Sequence, residues 1–165
     1  MRIIVKSFFV IASIAHKTPG IILDKLIRLL NALQEVKNHY ELVAKRIQNQ
    51  QLKLSILGLA QESKQYANEL IAHIETLGGI LHDRVKAECN RLDGNADYQQ
   101  ATGNAEDLVQ LKIGEQQVMK TYRDVLNEPF LYDTIRQMIR YQQNGLLHCF
   151  SQIRMLYATL LKSSI

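Results

Sequence analysis

Four separate stretches of the chain repeat apolar residues in alternating steps of three and four, a rhythm met by a helix with one buried stripe. The first reads Leu26, Leu29, Leu33, Val36, Tyr40, Val43, Ile47. After the Gln/Asn-rich turn QNQQ, the second reads Leu52, Ile56, Leu59, Ser63, Tyr66, Leu70, His73, Leu77. The third reads Leu108, Leu111, Glu115, Val118, Tyr122, Val125. The fourth reads Tyr132, Ile135, Ile139, Gln142, Leu146, Cys149, Ile153, Leu156, Leu160. Apolar neighbours such as Leu30, Ala60, Ala67, Ile74, Met119, Phe150 and Leu161 widen each stripe to the face that a globular core covers. Gly78-Gly79 closes the second stripe, because glycine takes the left-handed conformation past a helix C-terminus. Asn127-Glu128-Pro129 closes the third, with proline suited to the first turn of the next helix. The predicted helices cover about residues 22–49, 51–77, 105–127 and 130–162.

Four such stripes have to bury one another, so the expected fold class is all-α, a four-helix bundle. Tight turns near residues 50 and 129 make two antiparallel hairpins. Between them, residues 80–104 form a longer segment in which ILHDRVKAECNRL has room for a short helix and DGNADYQQATGN reads as loop. A simple up-down-up-down order needs no such length, whereas a crossover running back along the bundle does. A chain of 165 residues suits one domain, placed at about residues 21–163. Three glycines inside the predicted helices, Gly58, Gly114 and Gly145, read as places of close helix approach.

Charge and composition exclude several function classes. The formal charge is +4, but residues 1–20 carry Arg2, Lys6 and Lys17 with no acid, which leaves the bundle close to neutral. No basic stripe is present, so no nucleic-acid partner is expected. No stretch approaches ~20 uninterrupted apolar residues, so no membrane span is expected either. The leader MRIIVKSFFVIASIAHKTPG has a short apolar run at residues 8–14 and the small pair Ser13 and Ala15. That is a weak signal-like pattern, and the alternative it raises is removal of residues 1–15 and export to the periplasm. The run is minimal and Lys6 interrupts the apolar block, so a retained leader on a cytoplasmic protein is the expectation. Cys89 and Cys149 make neither a zinc pattern nor a disulfide framework and read as reduced thiols.

Chemistry would have to come from the polar residues set into the stripes: Ser63, His73, Glu115 and Gln142. Glu115 and Gln142 stand at similar distances from the second turn, and Ser63 at a similar distance from the first. Equal spacing predicts one polar layer of Ser63, Glu115 and Gln142 at mid-bundle, with Tyr40, Tyr66 and Tyr122 nearby. A carboxylate there must be paired, hydrogen bonded or protonated. The candidate metal ligands are Glu115, with Glu62, Glu35 and His148 as partners. A dinuclear carboxylate site in a bundle normally takes a Glu from each of two helices and Glu-x-x-His from each of the other two. Glu62-Ser-Lys-Gln65 has glutamine where that histidine belongs, and His148 follows Gly145 rather than an acid. Glu62 and Glu69 fall on the flank of their stripe, Glu69 in a position to pair with surface lysines.

LIRLLNALQEVKNHYELVAKRI, LAQESKQYANELIAHIETLGG, IGEQQVMKTYRDVL and a Gln-rich last helix ending IRMLY stand in a fixed order. In that order they resemble a bacterial ferritin-like four-helix-bundle family, domain of unknown function 2383. The resemblance runs from about Ile22 to Tyr157 and implies the ferritin-like fold without an established activity. The chain has Lys112 where the family often carries an acid, and Phe150 near where it often carries a histidine. The resulting expectation is a non-enzymatic bundle acting through association, stress protection or storage, with no cofactor and a homo-oligomer formed through bundle faces. The alternative is a protein that binds iron or another divalent metal, or an oxidoreductase, with a carboxylate-centred site in the core.

Overall fold

The computed structural model describes residues 19–82 and 104–163, which form four helices and, among the described residues, no strand. They are α1 (Gly20–Arg46), α2 (Gln50–Thr76), α3 (Asn104–Leu126) and α4 (Asp133–Ser163). The leader over residues 1–18, most of the short helix and loop expected between α2 and α3, and Cys89 lie outside the described residues. Among the described residues, no helix is long and apolar enough to cross a membrane.

The helices form a square in which α1 and α4 each pack against both α2 and α3. Side-chain pairs fix the directions. Lys25 near the start of α1 meets Glu128 just past the end of α3, and Gly114 backs onto Val36 and Tyr40, so α1 and α3 are antiparallel. Glu69 meets Gln142 while Glu62 lies beside Gly145, so α2 and α4 are antiparallel. Tyr122 meets Gln142 and Glu115 meets Arg154, which sets α3 and α4 antiparallel too. With α1 and α2 joined as a hairpin, α2 and α3 run the same way across the diagonal. The chain leaves α2 beside Leu23 at the start of α1 and re-enters α3 at the opposite end. Two hairpins joined by a crossover, as the segment length implied, is the observed connectivity.

Helix ends follow from local chemistry. The α1–α2 turn is short, residues 47–49, because the Asn49 side chain accepts the Leu52 N–H at 2.9 Å and caps α2. Helix α1 therefore stops at Arg46 rather than at residue 49. Helix α2 ends in a Schellman motif: Gly79 N–H reaches the Ile74 carbonyl at 2.8 Å and Gly78 N–H reaches the Glu75 carbonyl at 3.0 Å. Gly78 has φ +84°, and a Cβ on Gly79 would stand 2.5 Å from Ile74 Cγ2, so both glycines are required. The α3–α4 connection is longer than the sequence suggested. Pro129 sits within a turn over residues 127–132, and α4 begins at Asp133 rather than at 130. Arg136 holds this turn by donating to the Leu126 carbonyl at 2.5 Å and the Glu128 carbonyl at 2.7 Å, satisfying acceptors freed at the end of α3.

The four stripes meet in one core that includes Leu26, Leu29, Leu33, Ile56, Leu59, Leu70, Ile139 and Leu146, all nearly or fully buried. Each such side chain contributes on the order of 1.5–3 kcal/mol by leaving water. Tyr40, Tyr66 and Tyr122 are the largest fully buried residues. Close helix approach is real at Gly145, where a Cβ would overlap the Tyr66 hydroxyl and lie 3.4 Å from Glu62 Oε1. It does not apply at Gly58, where a Cβ would meet open space.

Candidate functional site

The expected single polar layer is not formed. Its error lay in the second turn: with α4 starting later than Pro129, Gln142 sits level with Tyr122, two helical turns from Glu115. Glu115 lies level with Arg154 instead. Ser63 is fully buried one turn before Tyr66, but its hydroxyl donates to its own helix, to the Leu59 carbonyl at 2.9 Å. The three polar slots are thus separate, and each is answered differently.

Gln142 is the node of the interior. It is fully buried, donates from Nε2 to Glu69 Oε2 at 2.8 Å and to the Tyr66 carbonyl at 3.4 Å, and accepts the Tyr122 hydroxyl at 3.3 Å. Glu69 was expected to face surface lysines. It turns inward to Gln142 instead, while its other oxygen accepts Gln65 Nε2 at 3.2 Å. A half-buried carboxylate on a helix flank reaches a core amide because α4 carries that amide directly opposite. One turn away, the Tyr66 hydroxyl donates to Glu62, and the Tyr66 ring packs edge-on against Tyr141. Burial first, then the Glu62 carboxylate, raises the Tyr66 phenol above its ordinary range. Tyr122 is raised by burial with smaller effects from Tyr66 and Glu69. Cys149 is a free, half-buried thiol pushed up by burial and by Glu62, the opposite of an activated nucleophile. The Tyr66 and Tyr122 hydroxyls and the Cys149 thiol are thereby held in their neutral forms.

The second feature lies between α3 and α4, which make the least extensive of the four helix–helix interfaces. A cleft of about 310 Å³ opens there. Leu59 of α2 forms its floor, Leu111, Phe150 and Ile153 its apolar walls, and Lys112, Glu115 and Arg154 its charged edge. Arg154 grips Glu115 with one nitrogen on both oxygens, at 2.6 and 2.5 Å. The Arg154 side chain is 57% exposed and that of Glu115 17%, so the pair is a rim contact rather than a buried bridge. Behind it lies Tyr40, fully buried, its ring edge-on to Phe150 at 5.9 Å. The Tyr40 hydroxyl makes no hydrogen bond to any described protein atom and lies 3.7 Å from where Gly114 would carry a Cβ. Burial and the nearby Glu115 charge raise its phenol. The heptad pattern flagged Glu115 but missed Arg154, which stands one residue outside its stripe, and gave no sign that Tyr40 would lack a partner.

The four candidate metal ligands are not brought together. Glu115 is bound by Arg154 on the cleft rim, and Glu62 accepts from Tyr66 at the α2–α4 interface. Glu35 is exposed on α1 beside a shallow groove shared with Gln110 and Gly114 of α3. His148 is exposed on α4, its Nε2 lying 2.9 Å from Gln152 Nε2. Among the described residues, no group of three His, Cys, Asp or Glu side chains is placed to hold a metal ion. The helical angle between each residue and its stripe explains the dispersal: these side chains leave their helices toward three different interfaces and the solvent. No family model matches the chain, and no curated protein matches it closely enough to imply relationship.

Proposed function

We propose that this protein is a non-enzymatic bundle of ferritin-like type that acts by association, holding a small, largely apolar molecule in the cleft between α3 and α4. The observation that carries this reading is the contrast between a saturated interior and an open cleft. Ser63, Gln142, Glu69 and Glu62 already have hydrogen-bond partners, whereas the cleft keeps about 310 Å³ between apolar walls. A concave, mostly apolar space edged by a few polar groups is the usual form of a small-molecule site. The antiparallel square with its crossover supports the ferritin-like part of the proposal. The dispersal of Glu115, Glu62, Glu35 and His148 favours association over a carboxylate-bridged metal centre.

A polarity-sensitive fluorescent dye titrated into the full chain tests the reading. Saturable binding is expected, and Ile153→Trp, which adds bulk to the cleft from α4, should abolish it while the chain keeps its helical circular dichroism, at some cost in melting temperature because Ile153 is buried. Dye binding unchanged by Ile153→Trp would overturn the cleft. Stoichiometric iron in untagged protein, with iron(II) oxidation lost in Glu115→Ala, would replace association by the metal reading.

A further inference from the structure

Three features ask for a common explanation: a fully buried tyrosine hydroxyl with no partner among the described residues, a carboxylate near it held by an exposed arginine, and apolar walls alongside. A buried donor left without an acceptor carries its full desolvation cost. Tyr40 carries such a donor directly beneath the helix that carries Glu115. Glu115 therefore has two potential partners, the Arg154 guanidinium at the rim and the Tyr40 hydroxyl behind it, and in this structure it uses only the first.

We propose that the cleft takes a small amphipathic carboxylate, whose head displaces Glu115 from Arg154 while Glu115 turns inward to accept the Tyr40 hydroxyl. The charge at the rim selects the head group. Lys112 and Arg154 outnumber Glu115 there, and once Glu115 is engaged by Tyr40 the edge presents two cations. A carboxylate meets the Arg154 fork with charge-assisted hydrogen bonds. An ammonium head would face both cations. The walls select the tail: Leu59, Leu111, Phe150 and Ile153 offer only apolar contact. At about 30 Å³ for each water-sized group, the space accepts roughly ten non-hydrogen atoms, the size of a medium-chain acid. The exchange leaves every head group hydrogen bonded: Arg154 trades one carboxylate for another, and Glu115 trades the guanidinium for the neutral Tyr40 hydroxyl, with the Lys112 and Arg154 charges still at the same edge.

This inference rests on the cleft being a binding site, and its test separates the two claims. Octanoate, octanol and octylamine are titrated by calorimetry into the full-length chain at neutral pH. Octanoate is expected to bind most tightly, Arg154→Ala to weaken it by about tenfold, and octanol to be nearly insensitive to that change. Tyr40→Phe keeps the ring on Phe150 and removes the unmade donor, so it should raise rather than lower the melting temperature and leave octanol binding unchanged while weakening octanoate several-fold. Octanoate should also perturb the near-ultraviolet tyrosine absorbance of the wild type, and this signal should shrink in Tyr40→Phe to the share of Tyr157, which lines the cleft. Octanol or octylamine binding as tightly as octanoate would overturn the carboxylate assignment while leaving the cleft in place. Equal octanoate affinity in wild type and Tyr40→Phe would overturn the exchange onto Tyr40. Failure of all three to bind would overturn the cleft reading itself.

Discussion

Gln142 and Glu115 occupy equivalent polar slots in otherwise apolar stripes, yet the bundle treats them in opposite ways. Gln142 lies where α2 and α4 pack closely enough to need Gly145, and three groups converge on it. Glu115 lies where α3 and α4 diverge, and an exposed arginine answers it. The difference teaches that a polar residue in a helical stripe is structural where neighbouring helices close over it and available where they part. Helix separation, more than residue type, decides which polar slot can meet a ligand.

The largest expected contrast is between leucines in the two regions. Leu70→Ala removes a fully buried side chain from α2 and should cost about 2–5 kcal/mol in urea unfolding. Leu111→Ala borders the cleft, so little new cavity forms, and its cost should fall at or below about 2 kcal/mol. Equal losses would mean that the cleft is closed in solution.

Gln142→Leu comes next. It strips a partner from Tyr122 and leaves Glu69 short of a donor, for an expected loss of about 1–3 kcal/mol by the same measurement. Glu115→Gln acts on an exposed pair and should change stability by no more than about 1 kcal/mol. If Glu115→Gln proved the costlier, the assignment of structural and available slots would be reversed.

A third effect is gated by pH. The Lys25 hydrogen bond holds the Glu128 carboxyl below its ordinary range against the opposing effect of burial, with the Lys25 charge, the Phe130 N–H and Arg136 adding to it. Because the folded value is depressed, the stabilisation is present above the unfolded carboxylate range and is lost as pH falls through the folded value. Wild type should therefore exceed Glu128→Gln in stability at neutral pH, and the two unfolding curves should converge on acidification. A gap that persists in acid would show that the substitution acts through something other than the Glu128 charge, and no gap at neutral pH would show that the Arg136 contacts alone hold the turn. Ser63→Ala should be the quietest change, within about 0.5 kcal/mol, because the hydroxyl bonds only its own helix.

Much of the architecture was legible in single residues. The apolar stripes named the core, and Gly78-Gly79 marked the end of α2 because its Schellman bonds are local and demand glycine. The length between the second and third stripes implied the crossover. The second turn was read too short, since Pro129 looked like a helix start while Arg136, four residues into the next helix, holds the turn open from outside it. That displacement spoiled the expected level of Glu115 with Gln142. Lys37 and Gln34 show the same limit: both stand outside the α1 stripe, yet both are buried, and Lys37 pairs with Glu41 at 3.3 Å.

The sequence by itself determined the four helices of the described residues, their buried faces and the all-α class, because periodicity and capping act within a few residues of chain. Only the tertiary structure decided that Glu69 would reach Gln142, that Glu115 would meet Arg154, and that the Tyr40 hydroxyl would be buried with no partner among the described residues. Those outcomes depend on register and spacing between helices far apart in the chain. A shift of a few residues in one turn rotates and displaces every facing side chain, so the partner of a polar group is fixed only when the helices dock.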